Sequence, residues 1–249
     1  RDVERSRGLG DVYKRQNDVC GFDAARKLAI LSSIGFRANV TFDDVLVEGI
    51  EKIDKSDIQY AKDMGYTIKL LTVALRQENG IALNVYPAFL PDNHPLSSVK
   101  GAYNAIYVTG NIVDDVMFYG RGAGALPTAS AVMGDVISTA QHILNGSTGT
   151  GMIMTDTKRI PFYSSLKLQN SYYFRLDVDD VTGVLSQIAA AFAENDISIC
   201  EVVQKRKTKG LAELVLVTEL ASRESILQVE KALQVLPCMR KVANVIRVM

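Results

Sequence analysis

Apolar and polar positions alternate along this chain with two distinct periods. From Asp23 onward Ala24, Leu28, Leu31 and Gly35 follow helical spacing, which predicts a helix over residues 23–36 with those side chains toward a core. Residues 40–46 follow, with Thr41, Asp43 and Asp44 placed to turn or cap the chain, and Ile50 and Ile53 lead into a short helix over 56–65. Ser56 suits the N-cap of that helix and Gly65 its stop. The period then shortens to two. Residues 67–74 and 81–87 read as strands joined by a hairpin at Glu78-Asn79-Gly80, and Pro87, Pro91 and Pro95 read as a loop or short extended segment. Residues 105–109 and 116–119 are two further strands separated by a turn containing Gly110 and Asn111.

Gly120-Arg121-Gly122-Ala123-Gly124 follows directly, and Pro127 opens a long helix reaching about Leu144, with a small face at Ala129, Ala131, Gly134 and Ala140. Residues 145–151, NGSTGTG, have the composition of a flexible linker. Beyond it the pattern resets. Strand 172–178, helix 183–195 with Val184, Leu185, Ile188 and Phe192 inward, strand 197–205, a turn at 207–210, strand 212–218, helix 222–236 and strand 242–248 follow one another. The order βαββαβ in so short a stretch is the ferredoxin-like plan. The fold class is α+β: a mixed or antiparallel sheet domain with helices over 17–145, a linker over 146–170, and a βαββαβ domain over 171–249.

Composition narrows the function classes. The 249 residues are 47% hydrophobic and 22% charged, and 28 basic residues balance 28 acidic ones. A neutral chain has no overall field for nucleic acid or an anionic membrane surface, and no apolar run reaches the roughly 18–20 residues of a membrane span. Cys20, Cys200 and Cys238 lack paired spacing and read as reduced thiols of a cytoplasmic protein, while His94 and His142 lack ligand spacing, so no metal site is expected. Residues 1–16, RDVERSRGLGDVYKRQ, carry Arg1, Arg5, Arg7, Lys14 and Arg15 without apolar periodicity. Their ending resembles translated adapter sequence, so native sequence is expected to begin near Asn17 and an upstream region to be missing.

Three places carry candidate chemistry. Asp23 and Lys27 stand one helical turn apart, so a carboxylate and an ammonium can face one small molecule; the bland reading is a solvated ion pair worth about 0.3–0.5 kcal/mol. The stretch Gly120–Gly124 joins a strand to a helix, as dinucleotide-binding turns do, but its spacing is G-x-G-x-G, and a tight packing turn explains it equally well. Residues 177–183, DVDDVTG, sit between a strand and a helix; Asp180 or Thr182 can cap that helix, and its exposed N–H groups could also hold a carboxylate.

The motifs in order identify a family. Asp18-Val19-x-Gly21-Phe22-Asp23-Ala24-Ala25-Arg26-Lys27, then Gly49-Ile50-x-x-Ile53, Asp57-Ile58-x-x-Ala61-x-x-x-Gly65-Tyr66-x-Ile68-Lys69-Leu70, and Tyr119-Gly120-Arg121-Gly122-Ala123-Gly124-x-x-Pro127-Thr128-Ala129-Ser130-Ala131-Val132 make Asn17 to about Leu144 closely resemble the substrate-binding region of homoserine dehydrogenase. Residues 171–249 resemble an ACT domain, a small-molecule sensor attached to amino-acid biosynthetic enzymes.

The resemblance implies reduction of aspartate semialdehyde to homoserine with NADP or NAD as cofactor, on the route to threonine and methionine. It implies that Lys27 gives a proton to the substrate carbonyl oxygen, that Asp23 binds the substrate and holds Lys27, and that Gly120, Arg121, Gly122, Ala123 and Gly124 lie against the nicotinamide half of the cofactor. It also implies threonine as effector near Asp180, Gly183 and Asn195, and a homodimer. Two departures stand out: the family's N-terminal Rossmann domain is absent, and Lys14 stands where a substrate-binding glutamate is usual. The isolated chain is therefore expected to be inactive. The competing readings are an amino-acid sensor without catalysis, which would be indifferent to Lys27, and, last, a structural dimerisation module.

Overall fold

The structure is a computed structural model and describes residues 16–147, 160–206 and 210–249. The expectations for residues 1–15 (Lys14 among them), for most of the linker after Ser147, and for the turn at 207–209 lie outside the described residues. The described residues form two compact units, one built from residues 16–91 with 160–206 and 210–249 and the other from residues 92–147.

The first unit is organised by one buried strand. Helix α1 (Phe22–Phe36) leads through a 3₁₀ turn (Phe42–Asp44) to the short strand β1 (Leu46–Val47), then to helix α2 (Lys55–Asp63) and the hairpin β2 (Tyr66–Gln77) and β3 (Gly80–Pro91). β3 pairs with β2 along its whole length. Its other side is shared: Ile81 bonds with Pro161 and Tyr163, Asn84 and Val85 pair with β1, and Ala88 and Phe89 pair in parallel with the last strand, β10 (Met239–Val248). Every residue from Gly80 to Leu90 is buried.

Pro87 is therefore in the middle of this strand, opposite Leu70, and not in a loop. The carbonyls of Val85 and Phe89 accept bonds from Glu48 and Met249, so the odd-numbered residues turn their backbone groups away from β2. The missing N–H of Pro87 falls between the stretches paired with β1 and with β10, where no ladder bond is lost.

Through β10 the sheet continues into strands β6 (Gln169–Asp179), β8 (Leu211–Thr218) and β7 (Ile199–Arg206), in the order β10-β6-β8-β7, and the two-residue strand β9 (Ala221–Ser222) pairs with β6. Helix α4 (Val184–Ala193) lies between β6 and β7 in the chain, and helix α5 (Arg223–Gln234) between β9 and β10. This completes the expected βαββαβ order. Ser222 caps α5, accepting from the Ser225 N–H.

Two layers cover this sheet. On one face α4 and α5 bury Ile188, Phe192, Ile226, Val229 and Leu233 against Phe174, Leu176, Leu214 and Leu216. Leu185, expected inward, is 45% exposed; Ala191 takes the inward place instead. On the other face α2 places Tyr60 and Ala61 against Phe89, Tyr173, Val215, Val217 and Ile246. α1 packs by the same face of β3, on Ile81, Leu83 and Val85. Its buried stripe is Ala25, Leu28, Ala29 and Ser32, one position round from the expected one, and Leu31 is 42% exposed. Small residues at 25, 29 and 32 let the helix approach the strand more closely than a leucine-rich stripe would.

α2 is held to the sheet by charge. Its N-cap is Asp54, in a capping box with Asp57, and not Ser56. Asp57 is fully buried and receives Arg175 Nε at 2.8 Å, Asn244 Nδ2 at 2.8 Å and the Tyr173 hydroxyl at 3.2 Å. Arg175 also reaches Asp54, and Glu213 at 3.4 Å, and the Tyr60 hydroxyl donates to Glu213 at 2.8 Å. Every charge in this cluster meets an opposite charge or a donor, which buried ions require.

The second unit holds a 3₁₀ turn (Pro95–Ser98), the hairpin β4 (Tyr103–Gly110) and β5 (Asp114–Arg121), which forms its own two-stranded sheet, and helix α3 (Ala125–Leu144). Tyr103 and Tyr119 stack in parallel with centroids 4.9 Å apart, and Arg121 lies over the Tyr103 ring.

Replacing Asp57 by Ala strands part of the Arg175 charge in the interior. Urea unfolding should show a loss of about 3 kcal/mol, the lower end for a broken buried pair because Asp54 and Glu213 remain.

Candidate active site and ligand loop

Asp23 and Lys27 occupy the first two turns of α1, which opens on Gly21 in the left-handed region at φ 79° with no side-chain cap. The Asp23 carboxylate lies 2.6 Å from Lys27 Nζ, so the structure joins the two residues as their spacing predicts. Their side chains are 45% and 69% exposed, which leaves both free to meet a small molecule. Beside them Phe22 packs edge-on to Phe42, and Arg26 lies over the same ring at 5.4 Å.

The start of α1 is seated by neighbours. A side-chain β-carbon at Gly21 would touch Val85 Cγ1 at 3.1 Å and Val47 Cγ1 at 3.2 Å. At Gly49 it would collide with the Val19 carbonyl oxygen at 2.5 Å and Cys20 Cα at 2.8 Å, and the Ile50 N–H bonds to that Val19 oxygen at 2.9 Å. The glycines at 21 and 49 thus let two turns close on each other. A hydrogen bond to the Glu51 carboxylate raises the Cys20 thiol above its ordinary range, so Cys20 is a poor nucleophile.

The glycine-rich stretch lies in the second unit. Gly120 and Arg121 belong to β5, opposite Asn104 and Tyr103, so the loop itself is only Gly122-Ala123-Gly124. Gly124 is the N-cap of α3 at φ 131°; no side chain caps the helix and no carboxylate sits in its first turn. Such an end keeps its positive dipole and its exposed backbone, which suits the border of a polar or anionic group such as one part of a nicotinamide dinucleotide. A full dinucleotide turn, G-x-G-x-x-G between strand and helix, is not found in the sequence of the described residues.

At the βαββαβ loop, Asp180 donates its N–H to the Gly210 carbonyl, and Gly183 is the N-cap of α4 at φ 90°. Neither Asp180 nor Thr182 caps the helix. Asn195 lies beyond the other end of α4, with Nδ2 bonded to the Ala191 carbonyl at 2.8 Å. The 10-residue helix separates it from Gly183 by about 15 Å. The structure brings Asp180 and Gly183 together and places Asn195 apart from them.

Sequence reasoning missed the long-range ion pairs of the first unit. Glu48 takes both terminal nitrogens of Arg247, at 2.7 and 3.1 Å, and the cluster around Arg175 grips α2. Asp57 and Gly49 stood inside the recognised motifs without a role; their partners lie far along the chain, where no local spacing reveals them. Among the described residues no group of three or more histidine, cysteine or acidic side chains could hold a metal ion, and no helix is long and apolar enough to cross a membrane.

The first unit thus combines a sheet covered by helices on both faces, a βαββαβ element built into that sheet, and an exposed Asp–Lys pair on a helix beside it. The homoserine dehydrogenase family model matches residues 13–137 and the ACT domain model residues 172–238. The chain belongs to the homoserine dehydrogenase family and carries an ACT domain. It is 37% identical over 235 residues to the homoserine dehydrogenase of Bacillus subtilis, covering 93% of this chain and 54% of that protein. It is 40% identical over 240 residues to that of Mycobacterium tuberculosis H37Rv, covering 92% and 54%. The crystal structure of a homoserine dehydrogenase from Thiobacillus denitrificans matches with a TM-score of 0.86 at 32% identity, over 94% of this chain and 54% of that one. A Staphylococcus aureus homoserine dehydrogenase structure at pH 6.0 matches with a TM-score of 0.64 at 27% identity, over 96% and 58%. The chain thus spans about half the length of these relatives.

Because the Asp23–Lys27 pair is exposed, it adds little to stability. Lys27→Ala should shift the unfolding free energy by less than about 0.5 kcal/mol, measured by urea titration.

Proposed function

We propose that this chain supplies the substrate-binding and effector-sensing parts of an NAD(P)-dependent homoserine dehydrogenase of the cytoplasm. In this reading 17–145 is the catalytic segment, 146–170 a linker and 171–249 the regulatory domain. The observation that carries it is the Asp23–Lys27 pair at 2.6 Å, exposed on the first turns of α1 inside the segment matched to the family.

The chemistry asks for little more. The cofactor, when bound, supplies the hydride to the carbonyl carbon of aspartate semialdehyde. Lys27 faces the carbonyl oxygen, stabilises the charge that develops there and passes it a proton from Nζ, giving the hydroxyl of homoserine. The amine then regains a proton from solvent. Asp23 holds Lys27 and accepts from the substrate's amino or hydroxyl group. Gly120, Arg121, Gly122, Ala123 and Gly124 border the nicotinamide half, with the remainder of the cofactor held by a Rossmann domain outside this sequence.

The effector is threonine, held by N–H groups and side chains at Asp180 and Gly183. Asn195 lies beyond the far end of α4 from this loop, and the working form is a homodimer.

In the holoenzyme, Lys27→Ala should lower the rate of homoserine oxidation by about 10²–10⁴-fold, followed by the appearance of reduced nicotinamide. Turnover untouched by that change would favour the second reading, an amino-acid sensor without catalysis. Titration calorimetry with threonine, repeated on Asp180→Ala, tests the effector site; equal affinity for both would remove threonine from this loop.

A further inference from the structure

The ACT element and the helix bearing Asp23 and Lys27 meet at one segment of chain. On one face of the sheet, Arg247 of β10 is 5% exposed and lies over the Tyr86 ring at 4.1 Å, and it presents both terminal nitrogens to the Glu48 carboxylate at 2.7 and 3.1 Å. Arg223 of α5 approaches the same carboxylate at 3.9 Å. Glu48 is also tied by its backbone, donating to the Val85 carbonyl at 2.7 Å. The residues on either side of it, Val47 and Gly49, are those that close on Gly21 and on Val19 and Cys20. Ile50 then bonds back to Val19, two residues before the N-cap of α1.

The far end of the segment is held from the same ACT element. Asn244 of β10 donates to the Lys52 carbonyl at 2.9 Å, and Arg175 of β6 holds Asp54 and Asp57. Residues 48–57 are thus gripped at both ends by side chains of the ACT element, and the residues beside the first grip, Val47, Gly49 and Ile50, meet the start of α1. A forked guanidinium on a carboxylate restricts direction as well as distance, which a hydrophobic contact of the same size would not. Arg247 is buried and Glu48 half-buried, and such pairs add little net stability relative to apolar packing, so their effect lies in geometry.

We propose that Glu48 and Arg247 are positioning residues: through this pair β10 of the ACT element sets the turn that seats the N-terminus of α1, and with it Asp23 and Lys27. The proposal rests on the catalytic reading of Asp23 and Lys27 given above. A change in the ACT element that moves β10 against β3 reaches the reactive pair by this route, over contacts present in one chain.

Two variants keep the fold while weakening the fork. Glu48→Gln preserves shape and removes charge; Arg247→Lys preserves charge and removes the second hydrogen bond. Hydrogen exchange by mass spectrometry on the full 249-residue chain should show peptides spanning 17–28 exchanging about tenfold faster in both, while peptides from β6 and β8 keep their rates. Unchanged rates at 17–28, or uniform acceleration everywhere, overturns the proposal. In the holoenzyme both variants should lose about tenfold in kcat with KM for the nicotinamide cofactor unchanged, because a small misplacement of Lys27 costs rate and not cofactor affinity. A kcat equal to that of the parent overturns it as well. If Lys27→Ala itself leaves turnover intact, the catalytic reading has failed, and the exchange pattern alone then decides whether the pair seats α1.

Discussion

A strand buried on both faces must find a partner for every backbone group along both its edges, and β3 meets this demand in an unusual way. One edge is served by a single neighbour, β2; the other is served in turn by Pro161 and Tyr163, by β1 and by the end of β10. Chain segments more than 150 residues apart in sequence are therefore forced together, as when Arg247 pairs opposite Ala88. The ACT element is continuous with the rest of the first unit because its last strand completes the edge of β3. Its sheet would otherwise present β10 as an open edge, with the association hazards that such edges carry.

The faces of this sheet are held by different physics. Under α4 and α5 the core is aliphatic and aromatic, with Phe174 and Phe192 edge-on at 5.0 Å, and the Glu48–Arg247 pair lies beside it at Tyr172 with Arg223 of α5. Under α2 the apolar contacts around Phe89 and Tyr173 surround a closed set of ions. Burial opposes ionisation of Glu48, but the hydrogen bonds and charge of Arg247 outweigh it and hold the carboxyl below its usual range. Asp54 is likewise held low: against some burial, the N–H groups of Asp57 and Ser56 and then the Arg175 charge favour the carboxylate. For both groups the folded state binds its proton less readily than the unfolded chain does. Their contribution is complete above the ordinary carboxylate range and fades as pH falls through the lowered values. Under α2 the Tyr60 hydroxyl is driven upward, through burial first and the neighbouring Glu213 carboxylate second, so it stays a donor throughout the neutral range.

The segment around Asp23 and Lys27 separates exposed side chains from the residues that support them. Asp23 and Lys27 are exposed and add little to stability, whereas Gly21, Gly49, Glu48 and Arg247, which seat them, are packed or paired. Asp180 and Gly183 lie on a loop whose backbone is tied to Gly210, and Asn195 is spent on the end of α4.

Local sequence determined most of the elements and the pairing of Asp23 with Lys27. Helical spacing placed α1 with Asp23 and Lys27 on one face, alternation placed the β2–β3 hairpin, and the βαββαβ order was readable because each element carries its own period and its own stop. Tertiary structure alone decided what depends on partners distant in the chain. Pro87 lies mid-strand because its empty N–H position falls between two neighbours; α1 turns Ala25, Ala29 and Ser32 inward because the strand beneath it demands close approach; and Asp57, Glu48, Arg175 and Arg247 pair because β10 completes β3. Period and propensity act over a few residues, whereas a buried charge acquires its partner only when the sheet closes.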